Sequence, residues 1–136
     1  MDCVFCQIAA GALPARVVHE TRDLICFFPR RPNLLGHTLI TSKAHFEHIG
    51  DCNPALGTSI FTAAQRLSSH YAKALGATGF NLLNASGTDA DQSVPHLHVH
   101  YFPRTPNDDL NTWPDLPRFQ TDLDELLERL KVPAQG

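Results

Sequence analysis

The stretch Val94-Pro95-His96-Leu97-His98-Val99-His100-Tyr101-Phe102 sets three histidines in alternation with apolar residues. Side chains on a strand point to its two faces in turn, so this pattern predicts a strand over 94–102 with all three imidazoles on one face. Leu97 and Val99 then face a core. Three of the eight histidines fall within five residues in one phase, which is more than a scatter of surface histidines would give. Imidazoles set among apolar positions need polar partners, and a functional site supplies them. Two chemistries fit. Histidines two apart on a strand can share a metal, though three in a row rarely reach one ion with good geometry. Imidazole is also a nucleophile toward phosphorus near neutral pH. The central histidine can attack while a neighbour holds phosphoryl oxygens or supplies a proton.

Outward from that run, 80–83 reads as a strand and Asn84 to Asp91 as a loop of small residues. Ile60, Ala64, Leu67, Tyr71 and Leu75 recur at intervals of three and four, which predicts a long helix over about 55–75. Asn53 suits its N-cap, Pro54 its first position and Gly76 its C-terminal stop. Toward the N-terminus, 17–20, 24–28 and 37–41 read as strands, and 3–10 as a short helix stopped near Gly11 and Pro14. Pro29 and Pro32 make the segment between the second and third strands irregular. After Phe102, residues 103–117 are rich in Pro, Asn and Asp and read as extended loop. Residues 122–130 read as a last helix with Leu123, Leu126, Leu127 and Leu130 on one face. Strands joined by short turns with one long helix inserted imply an α+β fold, a mainly antiparallel sheet packed on helices.

At 136 residues the chain is expected to form a single domain, with a core over about 3–104 and a C-terminal extension over 105–136. The net charge of −3 speaks against a broad nucleic-acid surface but leaves room for a small phosphorylated ligand. No stretch approaches the roughly 18 apolar residues of a membrane span, and the start lacks the pattern of a targeting segment. A cytoplasmic protein without membrane or nucleic-acid partners is expected. In that compartment Cys3, Cys6, Cys26 and Cys52 form no disulfide framework. Cys26 reads as a small buried hydrophobe. Cys3 and Cys6 have the two-residue gap of metal or redox pairs.

Gln92-Ser93-Val94-Pro95-His96-Leu97-His98-Val99-His100-Tyr101-Phe102-Pro103-Arg104 closely resembles the signature of the histidine triad family. Gly36-His37-Thr38-Leu39-Ile40, followed by Ser42-Lys43-Ala44-His45, resembles it as well. So does the opening Cys3-Val4-Phe5-Cys6-Gln7-Ile8-Ala9-Ala10-Gly11, and the three matches fall in the family's order.

The resemblance implies a homodimer with a sheet of about five antiparallel strands, each protomer binding a nucleotide. It implies that His98 is the nucleophile toward the α-phosphorus and forms a nucleotidyl-histidine that water resolves. His100 would contact phosphate oxygens. Ser93 would bond the phosphate or leaving group, with Gln92 in support. Val4, Phe5, Ile8 and Phe27 match the apolar slot for the base; simple core packing is the other reading of the four. The zinc-containing branch of the family uses the first histidine of the triad and the histidine after the strand-loop lysine, here His96 and His45. With Cys3 and Cys6 these would complete a closed, structural Zn2+ site; free thiols or a redox pair are the alternatives.

Two positions depart from the family pattern. Pro29 stands where an acidic residue usually meets the ribose hydroxyls, and Arg30 and Arg31 follow it. Ala85 stands where an amide side chain usually touches the α-phosphate; Asn84 and Ser86 flank it, and Asn84 is the expected substitute. Hydrolysis of a nucleoside phosphoramidate or dinucleoside polyphosphate is therefore the leading expectation. A nucleotide-binding regulatory module with little turnover and a nucleotidyl transferase are the alternatives. His37 is expected to pack structurally, His48 to sit on the rim of the site, and His19 and His70 at the surface.

Overall fold

The computed structural model describes residues 2–134. Five antiparallel strands form one sheet in the order β1 (Val17–Glu20), β2 (Leu24–Phe27), β3 (Thr38–Ser42), β5 (His98–Arg104), β4 (Gly79–Leu83). Three α-helices accompany it: α1 (Val4–Ala9), α2 (Pro54–Leu75) and α3 (Leu123–Leu130). The α+β architecture expected from the sequence is the one observed. None of the helices among the described residues is long and apolar enough to cross a membrane.

Helix α2 begins and ends where its caps place it. The Asn53 side chain accepts from the Leu56 amide at 2.9 Å, and Gly76 closes the helix with a φ of 71°. That left-handed turn costs glycine nothing and other residues a steric penalty. Leu56, Ile60, Ala63, Ala64, Leu67 and Tyr71 form its buried stripe. They pack on Leu24, Cys26, Ile40, Leu97, Val99 and Tyr101, the alternate residues of the central strands and of the turn leading into β5. The opposite face of the sheet carries a smaller cluster of Ile25, Phe27 and Leu39 against Phe5 of α1. Strands β2 and β3 are thus buried on both faces, and alternation is lost from their sequences.

The triad strand starts later than the sequence pattern predicts. β5 spans His98–Arg104, so His96 lies in the turn that leads into it. Proline at 95 has no amide to give a ladder, and the His96 amide donates instead to the Val94 carbonyl at 2.8 Å. The strand also runs two residues past the predicted end. Beyond Tyr101 β5 has only β4 beside it, so Pro103 sits where one side of the strand has no partner to lose.

The C-terminal extension is clamped at its base. The Arg104 guanidinium grips Asp108 through two bonds of 2.7 and 2.8 Å and also reaches Asn81 of β4, the Thr112 hydroxyl and the Leu110 carbonyl. Past that clamp Trp113, Phe119 and the leucine face of α3 stay largely exposed. The amphipathic helix read from the sequence forms, but its apolar face has no cover within the described residues. His70 is exposed as expected, whereas His19 is half-buried with its Nε2 covered and without a hydrogen-bond partner among the described residues.

Candidate functional site

The site lies on the α1 face of the sheet. His98 and His100 face it because they pair across β3 with Thr41 and Leu39, while Val99 between them enters the α2 core. Their ring centroids are 5.2 Å apart. His96, though off the strand, joins the same line of rings. Phe5 meets both His96 and His98 edge-on, at 5.7 and 5.2 Å.

Backbone partners assign the tautomers of two of the three histidines. The Nε2 of His96 lies 2.6 Å from the Ser42 carbonyl. A carbonyl only accepts, so His96 carries its proton on Nε2 and leaves a lone pair on Nδ1. The Nδ1 of His98 lies 2.8 Å from the His96 carbonyl. The same logic leaves the lone pair of His98 on Nε2. Burial, with His45 and His98 nearby, holds the His96 pKa below the usual imidazole range, which favours a neutral ring with that lone pair available. Burial and then His98 lower that of His100 in the same way.

The free lone pair of His96 points into a cluster of donors. Its Nδ1 is 3.3 Å from Cys3 Sγ and 3.5 Å from Cys6 Sγ, and His45 Nδ1 is 3.3 Å from Cys6 Sγ. The four donor atoms all lie within 4.8 Å of one another. Tetrahedral zinc, at about 2.3 Å from sulfur and 2.1 Å from nitrogen, separates its ligands by about 3.6 Å. The donor set is one that zinc takes, and the three separations of 3.3–3.5 Å lie close to that spacing. α1 explains how two cysteines reach it: Cys3 is the N-cap, its sulfur accepts from the Cys6 amide at 3.4 Å, and one helical turn brings Cys6 beside it.

The other predicted residues fall around this centre. Gln92 is fully engaged. Its Nε2 donates to the Glu47 and Val94 carbonyls at 2.6 and 2.9 Å, and its Oε1 accepts from the Gly87 amide at 2.7 Å. It braces the turn before the triad. Ser93 beside it is exposed, and its hydroxyl has no partner among the described residues. Asn84, expected to reach substrate, donates its side-chain amide to the His98 carbonyl at 2.9 Å, while its Oδ1 accepts from Ser86 at 2.7 Å. Phe5 and Phe27 meet at 5.5 Å in an edge-on pair, with Ile8 packed beside them. Val4 is 42 % exposed and stands outside that cluster.

Several participants had no readable signal. Ile25 and Leu39 line the apolar cluster, but strands buried on both faces do not announce which side chain faces which way. His37, read as packing, lies with its Nε2 2.9 Å from His100 Nδ1. The Asn33 amide that holds its other nitrogen is backbone and leaves no trace in side-chain identity.

The sequence pattern of the HIT domain matches residues 10–107. The chain belongs to the histidine triad (HIT) family. Among similar proteins is an adenylylsulfatase of Arabidopsis thaliana, 32 % identical over 129 residues, spanning 95 % of this chain and 66 % of the relative. An adenosine 5′-monophosphoramidase of Schizosaccharomyces pombe is 29 % identical over 120 residues, 86 % of either chain. The crystal structure of a zinc-bound histidine triad protein from Mycobacterium smegmatis superposes with a TM-score of 0.78 at 33 % identity, covering 87 % of this chain and 86 % of that one.

Proposed function

We propose that this protein is a nucleotide hydrolase that cleaves a phosphoramidate or phosphoanhydride bond at the α-phosphorus through a nucleotidyl intermediate on His98. The observation that carries this reading is the bond from His98 Nδ1 to the His96 carbonyl, which presents the Nε2 lone pair as nucleophile. As Nε2 bonds to phosphorus, the bond to the leaving group breaks and the imidazole becomes cationic. The His96 carbonyl, already accepting from Nδ1, stabilises that charge where it forms. His100 donates a hydrogen bond from Nε2 to a phosphoryl oxygen, the Ser93 hydroxyl bonds the phosphate or leaving group, and a departing amine takes the proton it needs from solvent. Water then attacks phosphorus, the P–N bond breaks, His98 regains its lone pair, and the proton lost by the water passes to solvent.

Gln92 and Asn84 act at one remove in this reading, one bracing the turn and the other the His98 carbonyl. Phe5, Ile8 and Phe27, with Ile25 and Leu39, form the apolar slot for the base, and Val4 forms its edge. Zinc at Cys3, Cys6, His45 and His96 is structural: it pins α1 and the first triad histidine beside β5. Two relatives named for cleavage of adenylyl compounds support the reaction class. The proposal includes a homodimer, for which the exposed apolar residues of the extension offer surface; sedimentation at equilibrium reads this directly, a monomer at all concentrations contradicting it. The proposed setting is cytoplasmic.

The test is incubation with adenosine phosphoramidate, adenylyl sulfate and diadenosine polyphosphates beside a His98→Ala control. Turnover of at least one substrate, lost in the variant, supports the reading. Equal near-zero rates for both proteins on all substrates sink it and favour a binding module, for which Pro29 and Ala85, standing where the family pattern has an acidic and an amide side chain, already speak. Phosphorolysis in place of hydrolysis would mark a transferase.

A further inference from the structure

The third histidine of the run is oriented from outside the run. His37, on the turn into β3, is 2 % exposed, and its two ring nitrogens have separate partners. Its Nδ1 receives the Asn33 amide at 3.1 Å, and its Nε2 lies 2.9 Å from His100 Nδ1. An amide N–H only donates, so His37 Nδ1 must be the acceptor. The proton of neutral His37 is then on Nε2 and is shared with His100 Nδ1, which in turn must be a lone pair. The remaining proton of neutral His100 is left on Nε2, which has no partner among the described residues.

We propose that His37 is a positioning residue that, locked by the Asn33 amide, fixes His100 as a donor at Nε2 toward the phosphoryl group. The inference rests on the reading of His100 as the phosphate contact.

Three features make the lock rigid. The turn is closed by the His37 amide on the Leu34 carbonyl at 3.0 Å and by the Thr38 hydroxyl on the Gly36 carbonyl at 2.8 Å. Gly36 sits at a φ of 85°, and a Cβ there would come within 2.7 Å of Pro103 and 2.8 Å of Leu75, so the turn is seated hard against β5 and α2. Phe102 holds both rings, its centroid 4.3 Å from that of His37 and 5.8 Å from a nearly parallel His100. Burial, with His100 beside it, lowers the His37 pKa to about 4, so His37 stays neutral and keeps the lone pair that the Asn33 amide requires. A protonated His100 would carry a proton on both nitrogens and set N–H against N–H at His37. The relay therefore selects a neutral donor rather than an imidazolium.

Two measurements test the relay, one independent of turnover. Long-range 1H–15N correlation spectra of 15N-histidine-labelled protein at neutral pH read tautomers directly. The expected result is a single Nε2–H tautomer for both His37 and His100, with His100 becoming a mixture in His37→Phe. A proton on His100 Nδ1 in the unaltered protein overturns the relay, whatever the protein hydrolyses. Kinetics give the second reading. His37→Phe keeps the ring and lowers kcat about 10- to 100-fold with KM changed by less than about 2-fold, as expected when a donor is mispositioned. His37→Gln, whose amide nitrogen can take the place of Nε2, restores most of kcat. Unchanged kcat in His37→Phe, with hydrolysis still dependent on His98, overturns the positioning role and leaves the hydrolase reading standing.

Discussion

The Nδ1 of His98 is held 2.8 Å from the carbonyl oxygen of His96, and the ring of that same His96 turns its own Nδ1 toward Cys3 and Cys6. One residue thus serves the Cys/His cluster with its side chain and the proposed nucleophile with its backbone. The order of the cluster and the aim of His98 are linked through the covalent frame of one residue.

That linkage predicts how metal loss is felt. Purified protein should hold about one zinc per chain by elemental analysis. Cys3→Ser with Cys6→Ser should remove it and lower Tm on the order of 10 °C, because α1 loses its tether and Phe5 its seat on Phe27 and His98. Full metal content in the double variant would contradict the ligand assignment.

The brace from Asn84 acts on the same strand. Asn84→Ala removes the donor to the His98 carbonyl and leaves the apolar slot untouched. The predicted effect is a fall in kcat of roughly 10-fold with little change in KM, since the lost bond orients a reacting group rather than binding ligand. A rise in KM alone, measured by steady-state kinetics, would instead place Asn84 in direct contact with substrate.

Gly36 carries a backbone prediction. Its φ of 85° and the contacts a Cβ would make with Pro103 and Leu75 mean that Gly36→Ala must shift the turn bearing Asn33 and His37. A loss of about 1–3 kcal/mol in urea unfolding is expected. A variant as stable as the parent would show that the turn yields freely and could not hold a histidine in register.

The buried histidine predicts a pH dependence with a definite sign. His37 has its pKa depressed to about 4 in the folded chain, against about 6.5 when unfolded. The unfolded chain therefore binds more protons between these values, and stability rises with pH across that window. The contribution is complete above about pH 6.5, is lost as pH falls through about 4, and amounts to at most about 3 kcal/mol. His96 and His100, also lowered by burial, act in the same sense. Because acid also displaces metal from thiolates, the measurement is the difference between the parent and His37→Gln in chemical denaturation at pH 7 and pH 5. Parallel losses in the two proteins would contradict the assignment to His37.

The sequence was most legible where one physical period or one covalent constraint acts alone. The period of two placed His98 and His100 on one face, and the interval of three and four with Asn53, Pro54 and Gly76 bounded α2 nearly to the residue. It misplaced His96, because Pro95 breaks the ladder that the alternation implies. The two-residue gap flagged Cys3 and Cys6, but their partners His45 and His96 came from family resemblance, since a ligand set assembled from three distant segments has no local spacing. Ile25 and Leu39 were invisible because both faces of their strands are covered. The sequence reads His37 as packing, which it does, and its bond from Asn33 depends on a backbone amide that every residue type but proline supplies. The leucine face of α3 is legible as a face, but nothing in the sequence signals that the described residues leave it exposed.

In the proposed reaction His98 carries a nucleotidyl group. Rapid quench of the protein with adenosine phosphoramidate into alkaline denaturant, followed by intact-mass and peptide mass spectrometry, tests it most directly. The expected result is a transient adduct of one adenylyl group per active chain, located on the peptide bearing His98 and absent from His98→Ala. Turnover that proceeds with no such adduct, and that survives His98→Ala, would contradict it.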